Sequence, residues 1–236
     1  MSFKKLMAAL NKISEGVHYR DAVEVSGKLR STSRRVTQFS DSVIISYLRN
    51  EPHGAGVTSI LMDVHNLQLE LIQRGILLRG AITAGLLHHD DKLVFGPALN
   101  EAVALERLAN YPRVILDGEI LDEAGLKRSP SPSLSRTISS MVAGDFDGLF
   151  YIDYFNVHPD DFNEEWESVR YYLEKLRLVV KDLSNKKVPS IKVKHSWLRT
   201  KFNAMAKPFQ KSGYKTLGIC NVPEEDVEIF QEIKPF

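Results

Sequence analysis

Cysteine is nearly absent from this chain: Cys220 stands alone among 236 residues. An internal disulfide and a Cys-rich zinc site are thereby excluded, and the expected compartment is the reducing cytoplasm. Long apolar runs are missing as well. No stretch approaches the ~18 residues of a membrane span, and Lys4, Lys5, Asn11 and Lys12 interrupt the apolar positions of Phe3–Ser14, unlike a secretory leader. Charge of one sign is not in surplus: 31 Lys and Arg against 30 Asp and Glu leave a net charge of +1. No surface-wide field therefore gathers duplex DNA or an anionic membrane. Glycine and proline number only 14 and 10, which removes fibrous and low-complexity architectures.

What is present, 43% hydrophobic residues in a chain of 26.7 kDa, suits one domain with elaborations. Phe3, Leu6, Met7, Leu10 and Ile13 predict an amphipathic helix stopping near Gly16. Val36–Tyr47 reads as a hairpin around Ser40-Asp41-Ser42, with an acid at its tip. Val57, Ile60, Leu61, Val64, Leu67, Leu71 and Ile72 keep a helical period up to Gly75. Leu77–Leu87 then reads as a strand turning at His88-His89-Asp90-Asp91 into Lys92–Phe95. A helix over Ala98–Ala109 and a short strand Arg113–Leu116 follow. This irregular alternation belongs to the α+β class, not to a doubly wound parallel fold. Ser129-Pro130-Ser131-Pro132-Ser133 predicts a flexible loop over 129–136. That loop separates a core of residues 1–128 from a C-terminal elaboration over 137–236. Trp166 to Leu183 carries a long amphipathic helix, whereas the sequence from Lys186 onward is basic and weakly patterned.

Three segments point to chemistry. Phe39-Ser40-Asp41-Ser42 puts a carboxylate on a hairpin turn, where it can reach Mg²⁺ or Mn²⁺. Arg79-Gly80-Ala81-Ile82-Thr83-Ala84-Gly85 is a strand whose small residues permit close backbone approach. Phe95-Gly96-Pro97 opens a helix carrying Asn100 and Glu106. Other groups have plainer readings. His88-His89-Asp90-Asp91 is ordinary turn chemistry, because neighbours on a strand face opposite ways. Asp145, Asp147 and Asp153 read as strand-end acids, and Lys192, Lys194, His195, Arg199 and Lys201 around Trp197 as a solvated helix face.

Taken together, these motifs from Phe3 to about Leu116 resemble class III nucleotide cyclases, and most closely the pyrimidine cyclases of bacterial Pycsar anti-phage systems. The resemblance implies a ferredoxin-like catalytic fold and a lyase that converts UTP or CTP to cyclic UMP or cyclic CMP plus pyrophosphate, with Mn²⁺ or Mg²⁺. It implies a head-to-tail homodimer, with metal-binding acids from one chain and ribose and base contacts from the other. The cyclic nucleotide then activates a separate effector. Carried over by position, Asp41 matches a metal-binding acid and Asn100 the ribose-orienting asparagine. Thr37 and Leu93 match the base-contacting positions, and Phe39 and Arg79 complete the nucleotide-binding set. The neutral Thr37 and Leu93 favour a pyrimidine over a purine.

Two departures accompany the resemblance. Ala104 stands where many members hold an arginine, for which Arg107, Lys192 or Lys194 would substitute. The family's opening strand, with its own metal-binding acid, has no counterpart after Met1, so the natural protein is expected to begin upstream. The alternative is a catalytically degenerate, nucleotide-binding module of the same fold.

Overall fold

A β-hairpin, a long helix and a second hairpin succeed one another in the first half, in the order the apolar spacing predicts. The computed structural model describes residues 22–25, 28–51, 54–125, 140–162, 165–207, 216–217, 220–222, 227–228, 230 and 232–236. The expected helix over Phe3–Ser14 and the Ser129–Ser133 loop lie outside them. Two compact units divide the described chain. The first holds the residues up to Leu67, Gly80–Ala109 and Val114–Ile152; the second holds Gln68–Arg79, Asn110–Arg113 and the residues from Asp153 onward.

In the first unit, β1 (Ala22–Val25) and β2 (Lys28–Ser31) form an antiparallel pair where no strand is expected. The expected hairpin is β3 (Arg35–Phe39) and β4 (Ser42–Ser46), with Phe39 opposite Ser42 and a two-residue turn of Ser40 and Asp41. Ser40 takes φ 53°, the left-handed conformation that so short a loop demands of a central residue. After the short pair β5 (Asn50–Glu51) and β6 (Gly54–Ala55), helix α1 runs over Gly56–Gln73. Through Leu67 it belongs to this unit, where it buries Val57, Leu61 and Val64.

The expected strand Leu77–Leu87 is much shorter, because only β7 (Gly80–Ile82) finds a ladder. β7 pairs in parallel with β10 (Val114–Leu116), which is itself three residues long. A strand extends only as far as its partner, and the small residues beyond Ile82 have none. Between them lie β8 (His88–His89), antiparallel to β9 (Val94–Phe95), and helix α2 (Pro97–Leu108). A parallel pair requires a crossover, and α2, packed on β7 and β10, supplies it. Helix α3 (Gly118–Glu123), β11 (Val142–Gly144) and β12 (Phe150–Ile152) complete the unit. The sheet order is β11-β12-β10-β7, with its other pairings antiparallel, and among the described residues β7 is an edge. A mixed sheet with helices of this order is α+β.

In the second unit α1 ends by burying Leu71 and Ile72, and Gly75 turns the chain at φ 76°. There the Ile76 N–H donates to the Leu71 carbonyl at 2.9 Å, closing the helix with the left-handed residue that glycine tolerates. Helix α4 (Trp166–Ser184) buries Val169, Tyr172, Leu173, Leu176 and Val180, the stripe read from sequence. The basic segment after Lys186 is an 18-residue helix, α5 (Pro189–Ala206), which packs against α4 and buries Trp197, Leu198, Phe202 and Ala206, with Trp197 stacked on Tyr111. A short pair, β13 (Thr216–Leu217) and β14 (Cys220–Asn221), follows.

Candidate functional site

Pleating puts Arg35, Thr37 and Phe39 of β3 on one face with Ser42, Ile44 and Ser46 of β4. His89 of β8 meets that face and is held at both ring nitrogens. Thr37 Oγ1 lies 2.8 Å from Nε2, and Ser46 Oγ lies 2.7 Å from Nδ1. Burial pushes the His89 pKa down, Arg35 and His88 add to the shift, and Asp90 opposes it. His88 points away, its ring 4.9 Å from Phe95 and its Nε2 3.0 Å from Asp90. The four-residue His-Asp cluster is thus split by strand alternation, as expected, and Asp90 serves the turn. Its carboxylate accepts the N–H groups of Lys92 and Leu93, which with His88 hold its pKa down at about 2.

The β3–β4 hairpin is also tied to α1. Asp63 accepts from Arg34 Nε at 2.7 Å and from the Tyr47 hydroxyl at 3.0 Å, residues that flank the two strands. Burial works against the Arg34 charge, and the bond and charge of Asp63, with Tyr47, outweigh it and raise the guanidinium above its ordinary value. At the end of β7, the Thr83 hydroxyl donates to Asp117, which also caps α3 by accepting from Ile120 N–H at 2.9 Å. Thr83 of the glycine-containing motif therefore holds the sheet's end together.

Asp41 sits exposed on its turn, and Leu93 is exposed on the turn of the second hairpin. Gly96 then opens α2 at φ 149°, with its backbone so close to Leu86 that a Cβ would lie 2.5 Å from that residue's carbonyl oxygen. Asn100 is exposed on the first turns of α2, and Ala104 and Arg107 are exposed further along it. Asp41, Thr37, Phe39, Leu93 and Asn100 all belong to the first unit. Arg79 belongs to the second, where it lines a pocket of ≈ 250 Å³ with Lys194.

The sequence reading missed the Thr37–His89–Ser46 clamp and the Arg34–Asp63–Tyr47 tie. The first joins residues 52 apart on separate hairpins, and their pairing is not readable from the sequence. The strand-end acids behave as expected: Asp145, Asp147 and Asp153 accept from the N–H groups of Phe146, Leu149 and Phe155. In the basic stretch, Lys201 lies over the Trp197 ring at 5.7 Å.

Among the described residues no three His, Cys, Asp or Glu side chains group to hold a metal ion, and no helix is long and apolar enough to cross a membrane. A lone exposed carboxylate does not make a resident metal site. Asp41 does fit a divalent ion that arrives on a triphosphate, since Mg²⁺ commonly takes one or two carboxylates and completes its shell with phosphate oxygens and water. Comparison with known proteins adds no relative: the chain matches no protein-family model, no curated protein and no solved structure.

Proposed function

We propose that the chain is a pyrimidine nucleotide cyclase of the class III type, with a ferredoxin-like catalytic core, acting as a homodimer. The observation that carries this reading is that one compact unit holds the hairpin acid Asp41, Thr37 and Phe39 beside it, Leu93 on the second hairpin, and Asn100 on the helix that follows. Thr37 links the two hairpins through His89.

In the proposed reaction the 3′-hydroxyl oxygen of UTP or CTP attacks the α-phosphorus. The bond from that phosphorus to the bridging oxygen breaks, pyrophosphate leaves and the hydroxyl proton passes to solvent. Mn²⁺ or Mg²⁺ held by Asp41 and the phosphates would supply a lowered hydroxyl pKa and charge neutralisation. Asn100 orients the ribose by hydrogen bonding. Thr37 and Leu93 offer the base a hydroxyl and an apolar side chain, without the charged or amide groups that suit a purine. The product, cyclic UMP or cyclic CMP, acts as a second messenger in anti-phage defence through a separate effector.

Incubation with each of ATP, GTP, CTP and UTP plus Mn²⁺, followed by mass spectrometry, tests the reading. One pyrimidine triphosphate should give cyclic product and pyrophosphate, and Asp41→Ala should abolish both. Product unchanged in Asp41→Ala overturns the site. Nucleotide binding without pyrophosphate release favours the silent nucleotide-binding module instead.

A further inference from the structure

A pocket of ≈ 250 Å³ lies within the second unit, outside the elements that carry Asp41, Thr37 and Asn100. Leu77 and Leu78, on the segment that leaves α1, line it with Pro112, Leu183 at the end of α4, and Ile191 at the start of α5. Two cationic side chains complete the lining, Arg79 and Lys194, and no acid takes part. Ile191 and Lys194 stand three apart on α5, which puts the apolar side chain and the ammonium on one helix face. Among the described residues the Lys194 side chain makes no hydrogen bond and no ion pair. An ammonium without a carboxylate beside an apolar surface complements an anion with an apolar body.

Size narrows the class further. At ≈ 250 Å³ the pocket lies just under the roughly 300–1,000 Å³ of sites for drug-sized ligands. Inorganic phosphate satisfies the cations and leaves Leu77, Leu78 and Ile191 wet. We propose that this pocket binds a small carboxylate with an apolar body of octanoate's size, the carboxylate on Lys194 and the chain against the leucines. The proposal does not depend on cyclase activity.

Methyl and amide NMR titrations of the full chain with octanoate, 1-octanol and inorganic phosphate test it, all below the concentration at which octanoate self-associates. Octanoate should shift Leu77, Leu78 and Ile191 saturably and bind at least tenfold more tightly than 1-octanol. Lys194→Gln should weaken octanoate about tenfold and leave 1-octanol unchanged, because a charge-assisted contact is lost and the apolar wall is kept. Ile191→Trp, which fills the pocket, should remove both. Equal affinity for octanoate and 1-octanol identifies a packing gap without anion recognition and overturns the proposal. So does phosphate displacing octanoate at equal concentration, or undiminished octanoate binding in Lys194→Gln. The octanoate and 1-octanol comparison needs no variant, so the test stands even where a substitution fails to fold.

Discussion

Two adjacent histidines occupy opposite environments, and the difference follows from the strand beneath them. His88 is exposed beside Phe95, while His89 is fixed between the hydroxyls of Thr37 and Ser46. A neutral imidazole has one donor and one acceptor, and hydroxyls satisfy either. Burial, with Arg35 and His88 nearby, sets the His89 pKa below 6.5, with Asp90 opposing. The sign of the linkage follows: as pH falls through 6.5 the unfolded chain takes up the proton before the folded one does, so this stabilisation is complete above 6.5 and is lost below it. A histidine Cε1–H titration should give His89 a midpoint under 6.5; a midpoint at or above it removes the desolvation account. Gln68 presents the opposite problem. It is 2% exposed, and among the described residues neither its Nε2 nor its Oε1 has a hydrogen-bond partner. A buried amide left unsatisfied costs about 1–3 kcal/mol, so Gln68→Met, of similar volume, should stabilise the chain by about 1 kcal/mol in urea unfolding. A loss of stability would show that the amide is satisfied in solution.

At the scale of elements, the first hairpin is held to α1 by a buried ion pair, with Arg34 and Asp63 side chains only 5% and 8% exposed. Removing one partner strands the other charge out of water, at about 3–5 kcal/mol. Asp63→Ala should therefore cost that much in denaturant unfolding, and Arg34→Met/Asp63→Leu should recover most of it. If the double substitution is as unstable as the single one, the hairpin is held by something other than this pair. What the sequence made legible was local. The Ser40-Asp41 turn, α1 up to Gly75 and the α4 stripe were readable because each element's own apolar period matches the face it buries. Helix α5 was obscured because Val188 and Val193 are apolar yet exposed, blurring the stripe of Trp197, Leu198, Phe202 and Ala206. Leu77–Leu87 was overread because β10, far along the chain, decides how much of it becomes strand. In the candidate site Asp41 was legible from its turn. The Thr37–His89 bond joins residues 52 apart, of types common everywhere, and only the folded pairing of hairpins reveals it.

For the whole molecule, the proposed homodimer has a surface that suits it. Phe39, Leu86, Leu93 and Phe95 are 54%, 80%, 59% and 58% exposed. They lie on or beside two hairpins that hydrogen-bond to each other through Thr37 and His89. Large apolar side chains left to solvent are available to an interaction surface, and a net charge of +1 puts little long-range repulsion between copies. A dimer joined through these side chains should persist at 0.5 M salt in sedimentation experiments, since salt screens charges and not apolar contact. Leu86→Lys/Phe95→Asp should give a monomer. In the proposed head-to-tail arrangement Asp41 of one copy works with Asn100 of the other, so Asp41→Ala and Asn100→Ala are each inactive alone. Mixed in equal amounts and allowed to exchange, half of the dimers carry one of each. Each mixed dimer then has one intact site and one doubly altered site, so cyclase activity should return to about a quarter of the unaltered level, as two-fold symmetry requires. No recovery after demonstrated exchange would place both residues in a site made by a single chain, and the dimer would then have no part in assembling it.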